Sequence, residues 1–269
     1  MTAFRQCVSV FGIEIDSLTL KNAASRLADW CGSGERECRY VVTPNLDHVL
    51  LYRENEALRL AYGNASLVVA DGWPLVTASR ISHRPLPERV AGSDLVPELF
   101  SECERRGTRP SVFLLGAAPG VADLAAKNIQ RRWSNVKVVG TYSPPLGFEK
   151  DPAETQRIAD LINQCSPDIL IVGFGAPKQE LWLHRMHQQL SVGVAFAAGA
   201  TIDFFAGRQV RAPKWVRMMR LEWSHRLLTN PRRLAARYAR NATSLPRLLL
   251  EEYLSRNTRL DARMREFDK

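Results

Sequence analysis

The chain has 269 residues, 45% of them hydrophobic and 24% charged, which fits a soluble globular protein large enough to bury a sizeable core. Its five scattered cysteines (Cys7, Cys31, Cys38, Cys103, Cys165) include no CxxC pair. That argues against a zinc knuckle or a secreted disulfide framework and fits a reducing compartment. The formal charge of +9 lies in the last stretch: from Arg208 to Lys269, 14 Arg and 2 Lys face 6 acidic residues, and the rest of the chain carries −1. Such asymmetry points to a polyanionic partner, either an anionic membrane surface or nucleic acid. The N-terminus lacks the apolar stretch of a signal peptide, and no run of about 18 apolar residues could span a bilayer.

Taken in order, VSVFGIEI alternates as strand residues do and suits a hairpin near the N-terminus. Leu20 to Trp30 has helical spacing, and Arg39 to Thr43 is a short strand. Asn45 opens a helix expected to run through Tyr62. The run at residues 66–70 reads as a buried strand that delivers Asp71, and Gly72 and Pro74 then suit a turn into a helix ending near Ser82. Residues 82–93 form a loop broken by Pro85, Pro87 and Gly92, after which Asp94 to Arg106 is helical.

From residue 111 a strand-then-helix unit repeats. SVFLLG precedes VADLAAKNIQRRW, VKVVG precedes TQRIADLINQC, DILIVGFG precedes PKQELWLHRMHQQL, and VGVAFAAG leads into a turn. Such alternation implies a parallel sheet covered on both faces. The fold class expected is α/β: two Rossmann-like lobes, residues 1–107 and 108–207, followed by a basic helical appendage over 208–269. In that appendage Trp215, Met218, Met219, Leu221, Trp223, Leu227 and Leu228 alternate with arginines, the pattern of an interfacial amphipathic helix or of a solvated helix whose apolar side packs on the lobes.

Ligands of open α/β sheets bind beyond the carboxyl ends of the strands. Three strand ends or loops of the first lobe place polar residues there: Thr43 and Asn45 after RYVV, Asp71 after SLVVA, and Arg89 in RVAGSD. Each has a plain structural reading, as a helix cap, a turn residue or a surface charge. Together they read as a site. In the second lobe each strand ends at or near glycine: Gly116, Gly140, Gly173 and Gly175, and Gly199. The string VGFGAPKQELW can hold a diphosphate through backbone N–H groups near Gly173 and Gly175, the helix dipole and the Lys178 ammonium, with Gln179 in the same turn. It lacks the third glycine of GxGxxG and is not a Walker loop. Gly116, Tyr142 and Phe174 are candidates to frame a nucleotide. Glu180 with His184 and His187 has metal-like spacing, but exposed or capping histidines are the commoner outcome, and no metal is expected.

The strings TPNLDHV, ADGWPLV, RVAGSDL, FLLGAAPG, VGFGAPKQELW, AFAAGATIDFFAG, RAPKWVRMMRLEWSHRLL and NPRRLAARY resemble, in order and over nearly the whole chain, the WecG/TagA/CpsF group of bacterial glycosyltransferases. The resemblance implies a UDP-sugar donor (UDP-N-acetylmannosamine, its uronic acid, or UDP-glucose). It implies an acceptor sugar carried on undecaprenyl diphosphate at the cytoplasmic face of the membrane. It assigns the catalytic carboxylate to Asp71, its threonine and asparagine to Thr43 and Asn45, its arginine to Arg89 and its glutamine to Gln179. By the same likeness the basic tail docks on the bilayer, with Arg211, Arg217, Arg220 and Arg226 as candidates for the lipid diphosphate.

The residue chemistry agrees with that assignment. Asp71 can serve as base for an acceptor hydroxyl, which predicts inversion, and the absence of a DxD pair favours transfer without a metal or other cofactor. Two other readings have a basis in the chain. A nucleotide-binding oxidoreductase would need the missing GxGxxG turn and an acidic residue about 20 positions on. A nucleic-acid-binding arm would draw on the same basic tail, but no recognised nucleic-acid module precedes it, so nucleic acid is not the expected partner.

Overall fold

The computed structural model describes residues 6–34, 36–209, 224, 227, 228 and 231–267. The strands β3 (Arg39–Val42), β4 (Leu67–Val68), β5 (Ser111–Gly116), β6 (Lys137–Tyr142), β7 (Ile169–Gly173) and β8 (Val194–Ala197) build one parallel sheet. Its order is β4-β3-β8-β7-β5-β6. The two strand groups expected as separate lobes are therefore hydrogen-bonded to each other, because β3 pairs along its length with β8, from Arg39 opposite Val194 to Val42 opposite Ala197. Ahead of the sheet, β1 (Cys7–Val10) and β2 (Ile13–Asp16) form the antiparallel hairpin.

Alternation along the strands explains the layers. Tyr40, Val42, Phe113, Leu115, Leu170 and Val172 enter one apolar cluster, and Val41, Val112, Leu114, Ile169 and Ile171 enter the other. The first face is covered by α2 (Leu46–Glu54), α3 (Glu56–Gly63), α4 (Trp73–Ile81), α7 (Pro152–Cys165) and α8 (Lys178–Met186). The second is covered by α1 (Leu20–Gly32), α5 (Gly92–Arg105), α6 (Val121–Arg132) and α9 (Thr201–Phe205). Each fully buried Leu, Ile or Phe in these layers contributes about 1.5–3 kcal/mol of transfer free energy. Helices leave β7 for one face and β5 and β8 for the other, which opens crevices at the strands' carboxyl ends.

Several elements differ from expectation. The helix expected from Asn45 to Tyr62 is two helices, because Asn55 leaves helical dihedrals (φ −127°, ψ 108°) and its side chain caps α3 through the Leu58 N–H. The strand expected to close at Gly140 runs two residues further, to Tyr142. Gly140 lies inside β6, where any Cβ would meet the Phe113 ring at 2.5 Å. β4 has two ladder residues, but Val69 and Asp71 still donate their N–H groups to the Val42 and Pro44 carbonyls, so its end stays registered on β3.

The last described element, α10 (Pro231–Phe267), returns to the first face of the body. Leu248 enters the core there. Arg240 and Arg237 bind the Asp47 carboxylate at 2.8 and 3.5 Å, and Glu251 pairs with Arg53. Glu252, itself buried, accepts from the Phe11 N–H and the Ser82 hydroxyl, both at 2.8 Å. Phe11 has φ 53° in the hairpin turn, so Glu252 fastens a strained turn to the C-terminal helix.

Candidate functional site at the carboxyl edge of the sheet

The parallel sheet brings the sequence-predicted residues of the body to one edge. Reading across it, β4 leads to Asp71, β3 to Thr43 and Asn45, β8 to Gly199, β7 to Gly173 and Gly175, β5 to Gly116 and β6 to Tyr142. Asp71 and Gly173 are three strand spacings apart, a lateral separation of about 14 Å. A nucleotide sugar laid across the strand ends is long enough to bridge that distance.

On the β3–β4 side, the Asp71 N–H is tied to Pro44, and Val90 donates to the Ala70 carbonyl at 2.8 Å. That second bond lays the loop across the end of β4 and sets Arg89 against Asp71. The guanidinium reaches Asp71 Oδ1 at 3.2 Å and Asp94 Oδ2 at 2.9 Å, with all three side chains at least three-quarters buried. Asp94, five residues after Arg89 in RVAGSD, is the partner that the sequence reading passed over. Asn45 caps α2: its Oδ1 accepts from Asp47 N–H and His48 N–H at 3.0 and 3.3 Å. The cap leaves the Asn45 amide nitrogen as the group it can offer a ligand. Thr43 is buried, and a Cβ on Gly92 would lie 3.4 Å from its Oγ1 and 3.7 Å from Ala198, so the start of α5 fits closely over β3 and β8.

On the glycine side, backbone segments approach one another. Gly116 has φ +107°, and a Cβ there would lie 2.7 Å from the Gly173 carbonyl oxygen. The Gly175 N–H donates to Gln179 Oε1 at 3.1 Å, and a Cβ on Gly199 would lie 3.1 Å from that same oxygen. Gln179 is buried, and its Nε2 donates to Glu180 Oε1 at 2.9 Å. The Lys178 ammonium reaches Glu149 at 2.6 Å, which holds the Glu149 carboxyl below its ordinary value. The Gly175 N–H and the Lys178 ammonium, both expected to face a diphosphate, are thus engaged within the chain.

Phe174 is packed between Phe148 and Trp182, at ring distances of 4.5 and 5.7 Å. Tyr142 donates to Glu154 at 2.6 Å and is overlaid and contacted by Arg157. The Glu154 hydrogen bond, ahead of burial, raises the Tyr142 phenol above its ordinary pKa. His184 and His187 have polar partners other than Glu180. The first meets Tyr40 Oη at 3.2 Å, and the second meets the His184 carbonyl at 2.7 Å. Behind the edge, the buried Tyr62 hydroxyl bonds His48 Nδ1 at 2.8 Å. Burial, and then Glu180, push that phenol well above its usual value. Arg211, Arg217, Arg220 and Arg226 lie outside the described residues.

A doubly covered parallel sheet with glycines at three strand ends and a carboxylate, an arginine and small polar side chains at two others has the architecture of an α/β enzyme, with a candidate ligand site along one edge. The sequence pattern of the Glycosyl transferase WecG/TagA/CpsF family matches residues 8–259, and the chain belongs to that family. It is a glycosyltransferase. A relative from Bacillus spizizenii is 32% identical over 194 residues, covering 72% of each chain. One from Staphylococcus aureus is 28% identical over 227 residues, covering 84% of this chain and 86% of its own. Both are named N-acetylglucosaminyldiphosphoundecaprenol N-acetyl-beta-D-mannosaminyltransferase.

Proposed function

We propose that this chain moves a sugar, with inversion and without a metal, from a UDP-sugar to a glycan carried on undecaprenyl diphosphate. The product would feed a cell-surface polysaccharide or wall polymer. The observation that carries this reading is the single sheet edge that holds Asp71, Thr43 and Asn45 together with the glycine-lined ends of β5, β7 and β8. Asp71 takes the proton of the acceptor hydroxyl as its oxygen attacks the anomeric carbon. The bond from that carbon to the diphosphate breaks, and UDP leaves with the electron pair. Arg89 orients the carboxylate, and Thr43 and the Asn45 amide nitrogen orient sugar hydroxyls. The names of the relatives favour UDP-N-acetylmannosamine as donor and an N-acetylglucosamine-bearing lipid as acceptor.

Residues 1–107 supply the base and the acceptor contacts, residues 108–207 hold the donor, and residues 208–269 bring the enzyme to the anionic cytoplasmic face of the membrane. Among the described residues no helix is long and apolar enough to cross a bilayer. The excess of ten positive charges in the last segment suits a peripheral contact. The test is UDP release from UDP-N-acetylmannosamine, its uronic acid and UDP-glucose, with a short-chain polyprenyl diphosphate sugar as acceptor. Release from one donor, dependent on acceptor, is the expected result. No acceptor-dependent release from any of the three donors would overturn the UDP-sugar reading.

A further inference from the structure

Glu180 has no part in the mechanism above, yet it is fully buried in the first turn of α8, beside Gln179. Oε1 accepts from the Gln179 amide, and among the described residues Oε2 has no hydrogen-bond partner. A buried carboxyl with one oxygen unmatched is costly compared with an apolar side chain of similar volume. Its geometry gives it a definite task. The Gln179 carboxamide lies between two fixed neighbours, with its oxygen on the Gly175 N–H and close to Gly199, and its nitrogen on Glu180. Turned over, the amide would set N–H against N–H at Gly175 and oxygen against oxygen at Glu180. Glu180 therefore allows a single orientation, and that orientation ties the turn after β7 to the start of α8.

We propose that Glu180 is a positioning residue that acts through Gln179 to hold the 173–179 turn in the shape that binds the nucleotide diphosphate of the donor. This rests on the reading that the turn is the donor site. Glu180→Met fills the same space without an acceptor and is expected to weaken UDP binding and raise the donor KM about tenfold, the loss of one hydrogen bond to a committed group, with a smaller change in kcat. Glu180→Gln keeps an acceptor oxygen within reach and recovers most of that loss, whereas Glu180→Asp, too short to reach, does not. Gln179→Ala weakens UDP to a similar degree, and adding Glu180→Met to it costs nothing further, because the path through Gln179 is already gone.

UDP titration and steady-state kinetics on the full chain, with thermal melts alongside, read all of these outcomes. A purely structural role would lower the melting temperature of Glu180→Met and leave UDP affinity in the folded fraction unchanged. UDP binding by Glu180→Met equal to wild type, losses that multiply in the double variant, or a Gln variant no better than the Asp variant would each overturn the proposal. If Glu180→Met does not fold, the contrast between the Gln and Asp variants decides. Failure of the wild-type chain to bind UDP would overturn the donor-site reading and this proposal with it, whereas wild-type binding that survives in Glu180→Met overturns the role of Glu180 alone.

Discussion

The two halves of the carboxyl edge are built on different principles. At β3 and β4 the edge is made of side chains, with Thr43, Asn45 and Asp71 held by a helix cap, a backbone tie and an arginine shared between two carboxylates. At β5, β7 and β8 it is made of missing side chains, so that Gly116 meets the Gly173 backbone, Gly199 lies against Gln179 and Gly175, and the space beside Gly175 is open. The first half can do proton chemistry, and the second can take up a flat, charged ligand close to the main chain. A substitution in the first half should therefore change turnover and spare the fold, and one in the second should change the fold or the binding.

The sharpest way to break that contrast is Asp71→Asn. The change keeps the size of the side chain and removes the proposed base, so turnover should fall by about two orders of magnitude or more while UDP affinity and the melting temperature stay near wild type. Sugar-transfer kinetics beside a UDP titration would show it. Gly116→Ala probes the other half. With φ +107° and the Gly173 carbonyl 2.7 Å from the new Cβ, it should cost about 2–4 kcal/mol of stability, read by denaturant unfolding. A mild effect there would mean that the β5–β7 crevice yields easily.

Lys178→Ala sharpens the comparison at smaller scale. Because its half-exposed ammonium is already held by Glu149, the substitution should change the donor KM about threefold or less, and a loss of tenfold or more would show that the lysine leaves Glu149 for the ligand. The smallest effect concerns acid. Arg53 and then Arg247 hold the Glu251 carboxyl below its ordinary value, and Lys178 does the same for Glu149. Groups lowered in the folded state contribute stability above the unfolded carboxylate value of about 4.3 and lose it as pH falls through their own lower values. The melting temperature should hold from neutrality to about pH 5 and decline below pH 4, and Glu251→Gln should flatten that decline slightly.

Much of this was legible in the sequence because it is written locally. Apolar runs such as ILIV and the helical spacing behind them give strand and helix, and the polar residues after RYVV and SLVVA mark the edge. The joining of the two strand groups was not legible, because the β3–β8 pairing unites residues distant in the chain and no local pattern encodes it. The packing role of Gly140 was hidden for a similar reason, since the Phe113 ring it accommodates comes from another strand. Glu180 reads in sequence as an ordinary acidic residue in a first helical turn. Only the tertiary packing shows it to be buried. The break at Asn55 was written in the chain, as an asparagine cap ahead of a glutamate, and was overridden by the apolar spacing on either side.

The claim on which all this depends is that UDP lies along the glycine ends of the sheet. Hydrogen exchange of the full chain with and without UDP tests it directly. The account predicts protection at residues 116–117, 142–143, 173–179 and 198–201. Protection confined to the cavity beside Glu149 and Arg185, or to the opposite end of the strands around Cys31, Thr108 and Asp168, would contradict it.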